Sequence, residues 1–146
     1  MKKLFALIAL MVMFIGPACA RDSITHDSNV LPAEAKSILK TYYPKTQVNH
    51  IKIDSKTFGG NEYDVILADG TELDFDNDGK LKEIDCGMNA VPDGLVLKPI
   101  REYIAKNFNG QKISSLEIKS RKYDVELMNG VDLEFDRAGN FIRIDD

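Results

Sequence analysis

The sequence of 146 residues has no tryptophan, two cysteines and two histidines. Each scarcity removes a class of function. With only His26 and His50, no His/Cys cluster reaches the spacing of a zinc site. A nucleophile pair would need Cys86 and His50 to meet beside a third, orienting group, and nothing in their surroundings suggests one. Gly59-Gly60 lacks the Lys and Ser/Thr of a phosphate-binding loop. No charge excess is basic: 23 acidic residues outnumber 19 basic ones, and no basic patch exists, so a nucleic-acid partner is excluded. Beyond the first twenty residues, no apolar run is long enough to span a bilayer. The reading is of a protein that is not an enzyme and carries no cofactor.

What is present begins with "MKKLFALIALMVMFIGPACA". Lys2 and Lys3 form a charged start, Leu4 to Ile15 an apolar core, and Ala18-Cys19-Ala20 a small-residue cleavage pattern. Residues 1–20 are therefore predicted to be a signal peptide, and the mature protein periplasmic or secreted. A rival reading lipid-anchors Cys19, although Gly16-Pro17-Ala18 lacks the aliphatic position such signals carry. Cleavage leaves Cys86 as the sole thiol, so no internal disulfide can form. The polar stretch 21–30, with His26, is expected to be a flexible lead.

The remainder is a repeat. "YDVILADGTELDFDNDGKLKEID" (Tyr63 to Asp85) aligns without gaps on "YDVELMNGVDLEFDRAGNFIRID" (Tyr123 to Asp145), sixty residues later. Upstream, "VNHIKI" matches "ISSLEI" at an offset of sixty-five. "LP" at Leu31-Pro32 and "VP" at Val91-Pro92 open the copies, predicted as 31–88 and 89–146. In each copy apolar residues first recur at helical steps: Leu31, Ala35, Ile38, Leu39 and Tyr42, then Ile100, Tyr103, Ile104 and Phe108. Pro32 and Pro99 suit helix starts, and Pro44 and Asn109-Gly110 suit helix ends.

Period-two alternation follows. Tyr63, Val65 and Leu67 lead to Asp69-Gly70, then Leu73 and Phe75. The second copy has Asn129-Gly130 at the same turn, and both dipeptides favour tight hairpins. Strands around Ile51 and Ile84, or Leu116 and Ile144, complete four per copy. The predicted class is α+β: two α-β4 units in tandem, with antiparallel meander sheets and helices packed on one face. Tyr63, Val65, Leu67, Leu73 and Phe75, with their counterparts, form the predicted core. The opposite face carries His50, Lys52, Asp64, Ile66, Glu72 and Asp74, and then Ser115, Glu117, Asp124, Glu126, Met128, Asp132 and Glu134.

"DFDNDGKLKEID" also fits most of an EF-hand loop, through Asp74, Asp76, Asp78, Gly79, Leu81 and Asp85. The flanks alternate as strands, however, and the second copy replaces Asn77-Asp78 by Arg137-Ala138. Only the turn Asp and Gly recur. No metal is expected on this reading. Asp74, Asp76, Asp78 and Asp85 stand as the ligand candidates should one bind.

As an ensemble, the motifs "LP…YYP", "YDV.LADG.ELDFD.DGKL.EIDC", "VP…YI..NF" and "YDVEL.NG.DLEFD..GNFIRIDD" resemble the PepSY-like family of exported bacterial proteins. That family is described as similar to beta-lactamase inhibitor protein. The resemblance implies the same α-β4 tandem and transfers no catalytic residue. The expected function is a binding module for a protein or peptide, inhibitor-like toward a peptidase or beta-lactamase in its specific form. The candidate contact residues are Phe58 in the loop "SKTFGGNE" and Ile66, Asp74, Glu126 and Met128 on the polar face. The alternative is a small-ligand or calcium binder using the acidic face.

Overall fold

The computed structural model describes residues 22–145; the predicted leader and Cys19 lie outside the described residues. Among the described residues, nine strands form one antiparallel sheet in strict chain order. They are β1 (Ser23–Thr25), β2 (Val48–Lys56), β3 (Gly60–Leu67), β4 (Glu72–Phe75), β5 (Leu81–Asp85), β6 (Ile113–Ile118), β7 (Lys122–Leu127), β8 (Asp132–Asp136) and β9 (Phe141–Asp145). Two helices, α1 (Ala33–Tyr42) and α2 (Lys98–Asn107), precede β2 and β6. The α+β class and the two α-β4 units match the repeat in the sequence. The two meanders nevertheless share a single sheet. Strand β5 pairs with β6, Ile84 facing Leu116, so the copies are joined through backbone.

Alternation selects the core. Val65, Leu73, Phe75 and Ile84 of the first copy, and Val125, Leu127, Leu133 and Phe135 of the second, are all buried. Ala35, Ile100 and Ile104 bring both helices onto the same apolar cluster. In the second copy the packing is aromatic: Tyr103 stacks on Phe141 at 4.6 Å and meets the edge of Phe135 at 5.5 Å. Such pairs add to the apolar area they bury.

Two expectations change. Within the expected flexible lead, residues 22–30 are ordered. Strand β1 pairs with β2, and Asp27 accepts a hydrogen bond from the Asn29 N–H to start a short 3₁₀ turn over Ser28–Val30. The His26 ring lies in hydrogen-bond contact with the Asn49 carbonyl. The physical reason is the edge of β2, which β1 covers as β5 covers β6. Second, the copies are in register at sixty-five residues through this whole region. A matching 3₁₀ turn lies at Asp93–Leu95, and buried Leu31 corresponds to buried Val96, not to Val91. Pro32 accordingly sits one residue before α1, and Pro99 at the second position of α2. The longer β2–β3 hairpin of the first copy absorbs the difference and restores the offset of sixty from Tyr63 onward.

Candidate functional site

The sheet's polar face is organised by register. Each strand contributes one residue to a row that runs Lys52, Asp64, Asp74, Glu83, Glu117, Asp124, Glu134, Arg143 from β2 to β9. Six consecutive carboxylates thus face one another in neighbouring strands, with a cation at each end. At about 4.8 Å per strand, the acidic part of the row spans roughly 24 Å. A second row beside it reads His50, Ile66, Glu72, Asp85, Ser115, Glu126, Asp132, Asp145. The rows are continuous only because β5 pairs with β6.

The two halves of the acidic row differ electrostatically. In the second copy, Glu134 is buried and receives two hydrogen bonds from the Arg143 guanidinium, at 2.9 and 3.0 Å, and one from Lys122. These donors hold its carboxyl down at about 2. Asp124 lies between Lys119 and Lys122. In the first copy, Asp74 and Glu83 have no ion-pair partner among the described residues. Partial burial, then the charges of Asp64, Glu83 and Glu72, push the Asp74 carboxyl up to about 6. Glu83 is raised by burial and by Glu117 facing it, and Asp64 by burial and Asp54. Carboxylates directly opposite each other repel. The two carboxylates without an ion-pair partner, Asp74 and Glu83, therefore lie where the copies meet, in a shallow groove lined also by Lys82 and by Glu117, which pairs with Lys119 at 3.0 Å.

Of the contact candidates read from the sequence, Ile66, Asp74 and Glu126 share this face. Phe58 and Met128 do not join each other. Phe58, 90% exposed, tips the β2–β3 hairpin at one end of the strands. Met128 follows β7 at the other end, in a groove with Met88, which is 95% exposed. Glu83 and Met88 were not singled out from sequence. The β4–β5 bulge between Asp74 and Phe75 shifts the alternation, and only the β5–β6 pairing sets Glu83 against Glu117.

The EF-hand candidates are spread apart. Asp74 and Asp85 stand in different rows, and Asp76 and Asp78 lie in the β4–β5 turn. Asp76 Oδ1 accepts hydrogen bonds from the N–H groups of Asp78 and Lys80, both at 2.9 Å. Asp136 does the same for Ala138 and Asn140. The Asp85 carboxylate accepts from the Gly87 N–H. Gly79 and Gly139 have φ of +85° and +86° and pack against the starts of α1 and α2. The recurring Asp and Gly are thus explained by the turn and its contact with the helix. No group of three or more His, Cys, Asp or Glu side chains is placed to hold a metal among the described residues.

Cys86 is buried, with its sulfur 3.5 Å from the Tyr43 hydroxyl. Burial raises its pKa, which disfavours the reactive thiolate.

No helix among the described residues is long and apolar enough to cross a membrane. No curated protein matches the chain. Solved structures do. A candidate periplasmic protein of unknown function from Bacteroides vulgatus is 36% identical with a TM-score of 0.82, over 86% of this chain and 100% of that one. A second candidate periplasmic protein from the same organism is 34% identical at 0.80, over 90% and 100%. A candidate calcium-regulated periplasmic protein from Bacteroides thetaiotaomicron is 28% identical at 0.80, over 86% and 97%. A family model described as beta-lactamase-inhibitor-like and PepSY-like matches residues 19–59 and 61–143. Agreement over this much of the chain, in sequence and in fold, makes it a periplasmic member of the PepSY-like family.

Proposed function

We propose that the protein is a non-enzymatic binding module of the periplasm whose polar sheet face engages a basic segment of a protein or peptide partner. The observation that carries this reading is the row of six carboxylates, uncompensated at Asp74 and Glu83. Facing carboxylates cost stability in the free protein. A partner's Lys or Arg side chains laid along the row would remove that cost on binding. Charge complementarity of this kind sets orientation and encounter rate. The inhibitor-like description of the family supports a protein partner, with a peptidase or beta-lactamase as the specific form.

The test is binding of labelled Lys/Arg-rich and Glu-rich peptides to the purified protein and to an Asp74→Asn/Glu83→Gln variant. Basic peptides should bind, lose affinity steeply with salt, and bind the variant more weakly. Equal binding by the variant would remove the face from consideration. Affinity capture from the native envelope fraction then identifies the partner.

A second reading, calcium binding, is favoured by the calcium-regulated description of the Bacteroides thetaiotaomicron relative and by the same carboxylates. Calcium at a hundredfold its Kd stabilises a fold by about 2.7 kcal/mol. A melting curve unmoved by millimolar calcium would remove this reading.

A further inference from the structure

The repeat supplies a template for an interaction that the second copy leaves open. Strand β5 is sealed on its outer side by β6: Glu83, Ile84 and Asp85 face Glu117, Leu116 and Ser115, and the Cys86 N–H bonds to the Ser114 carbonyl. Because the Cys86 N–H bonds the carbonyl of Ser114, the residue directly opposite it, Ile84, two residues back, also directs its backbone groups at β6. Sixty residues on, β9 presents Arg143, Ile144 and Asp145 in the same positions, each paired with β8 as β5 is with β4. No strand covers the outer side of β9 among the described residues. Ile84 is 0% exposed, whereas its counterpart Ile144 is 51% exposed. The other end of the sheet is treated differently, since β1 covers β2.

An open edge with an exposed apolar residue is a pairing template. Its charges select the occupant. Set antiparallel to a second β9 with the two-fold axis between the two Ile144 residues, Arg143 of each chain falls opposite Asp145 of the other. Ile144 meets its own copy in the hydrogen-bonded position, which buries both. The ladder has three pairs, as many as join β5 to β6 and β1 to β2. At the in-chain junction Glu83 faces Glu117; the β9 edge is self-complementary instead.

We infer that β9 is a self-association edge, at which two copies of this chain join by isologous β9–β9 pairing into one continuous sheet with twice the nine strands of each copy. A ladder this short belongs with small, transient interfaces, so association is sought at roughly millimolar protein.

Sedimentation equilibrium over a concentration series tests it. The purified chain should show a monomer–dimer equilibrium, and Ile144→Lys should weaken it by at least about tenfold. Arg143→Glu and Asp145→Lys should each be monomeric, since like charges then oppose across both outer pairs. An equimolar mixture of these two variants should dimerise again, because the charges are once more opposite. Asp145→Lys gives up the exposed in-chain Arg143–Asp145 pair at 3.1 Å and retains the Arg143–Glu134 contact; melting curves for each variant separate loss of association from loss of fold. A chain that stays monomeric throughout the series, or a dimer indifferent to Ile144→Lys and unrestored by mixing, overturns the inference.

Discussion

Asp74 and Glu134 occupy the same position in the two copies, sixty residues apart, yet their carboxyls are displaced in opposite directions, to about 6 and about 2. Burial does most to raise Asp74, and the residue facing each carboxyl then adds to the difference. Opposite Asp74 stands Glu83; opposite Glu134, at the equivalent place, stands Arg143. Glu83→Arg should therefore convert the first copy to the arrangement of the second. Its guanidinium would reach Asp74 and Glu117 together. The expected outcome is a gain of about 0.5–1 kcal/mol in denaturant unfolding, the range of cross-strand charge pairs. The Asp74 carboxyl resonance should titrate at lower pH.

The same carboxylates set the pH dependence. Asp74, Asp64 and Glu83 have raised native pKa values, so the native state binds more protons than the unfolded chain just above the ordinary carboxylate range. Stability then falls as pH rises through that window, up to about 6 for Asp74. Glu134, Glu62 and Asp136 are lowered, so their contribution is present above the ordinary range and is lost as pH falls toward their native values. Melting temperature should peak at about pH 4.5, near the ordinary carboxylate range where the two windows meet. Asp74→Asn should flatten the decline from about pH 4 to 6.

The hairpin glycines divide into two kinds. A Cβ on Gly79 would lie 2.8 Å from Pro32 Cβ and 2.9 Å from the Ala35 nitrogen; one on Gly139 would lie 2.9 Å from Pro99 Cβ. Gly70 has an equally positive φ and nothing within 4 Å. Gly70→Ala should cost about 1 kcal/mol from backbone strain alone. Gly79→Ala and Gly139→Ala should cost about 2 kcal/mol or more, because the helix start must also move. Urea titration of the three variants separates strain from contact.

Cys86 should behave as a packing residue. In the native protein at neutral pH it should react with an aromatic disulfide reagent about a hundredfold more slowly than in denaturant. Comparable rates in both states would mean an accessible thiol, contrary to its burial beside Tyr43.

Much of the architecture was legible in the sequence because local chemistry encodes it. Tyr63, Val65, Leu67, Leu73 and Phe75 alternate, and all are buried. Asp69-Gly70 and Asn129-Gly130 make the turns between those strands and their partners. The comparison of Asp78 with Ala138 pointed to a turn, and the Asp76 and Asp136 carboxylates bond turn N–H groups in both copies. What escaped was non-local. The lead around Ile24 and His26 lacks a strong strand signal and is ordered by the edge of β2. Val91 looks like the partner of Leu31, but the helices and the strands they pack on place Val96 there.

The sequence by itself determined the period, the two-faced strands, the turns and the core, since each follows from side-chain alternation and glycine geometry within a few residues. It also assigned the acids to the solvent face. Only the tertiary structure decided that β5 lies against β6. That single pairing sets Glu83 opposite Glu117 and joins two acidic faces into one row. It also leaves β9 as the uncovered counterpart of β5. Register between distant strands is fixed by backbone hydrogen bonds and shared burial, which no local stretch of residues contains.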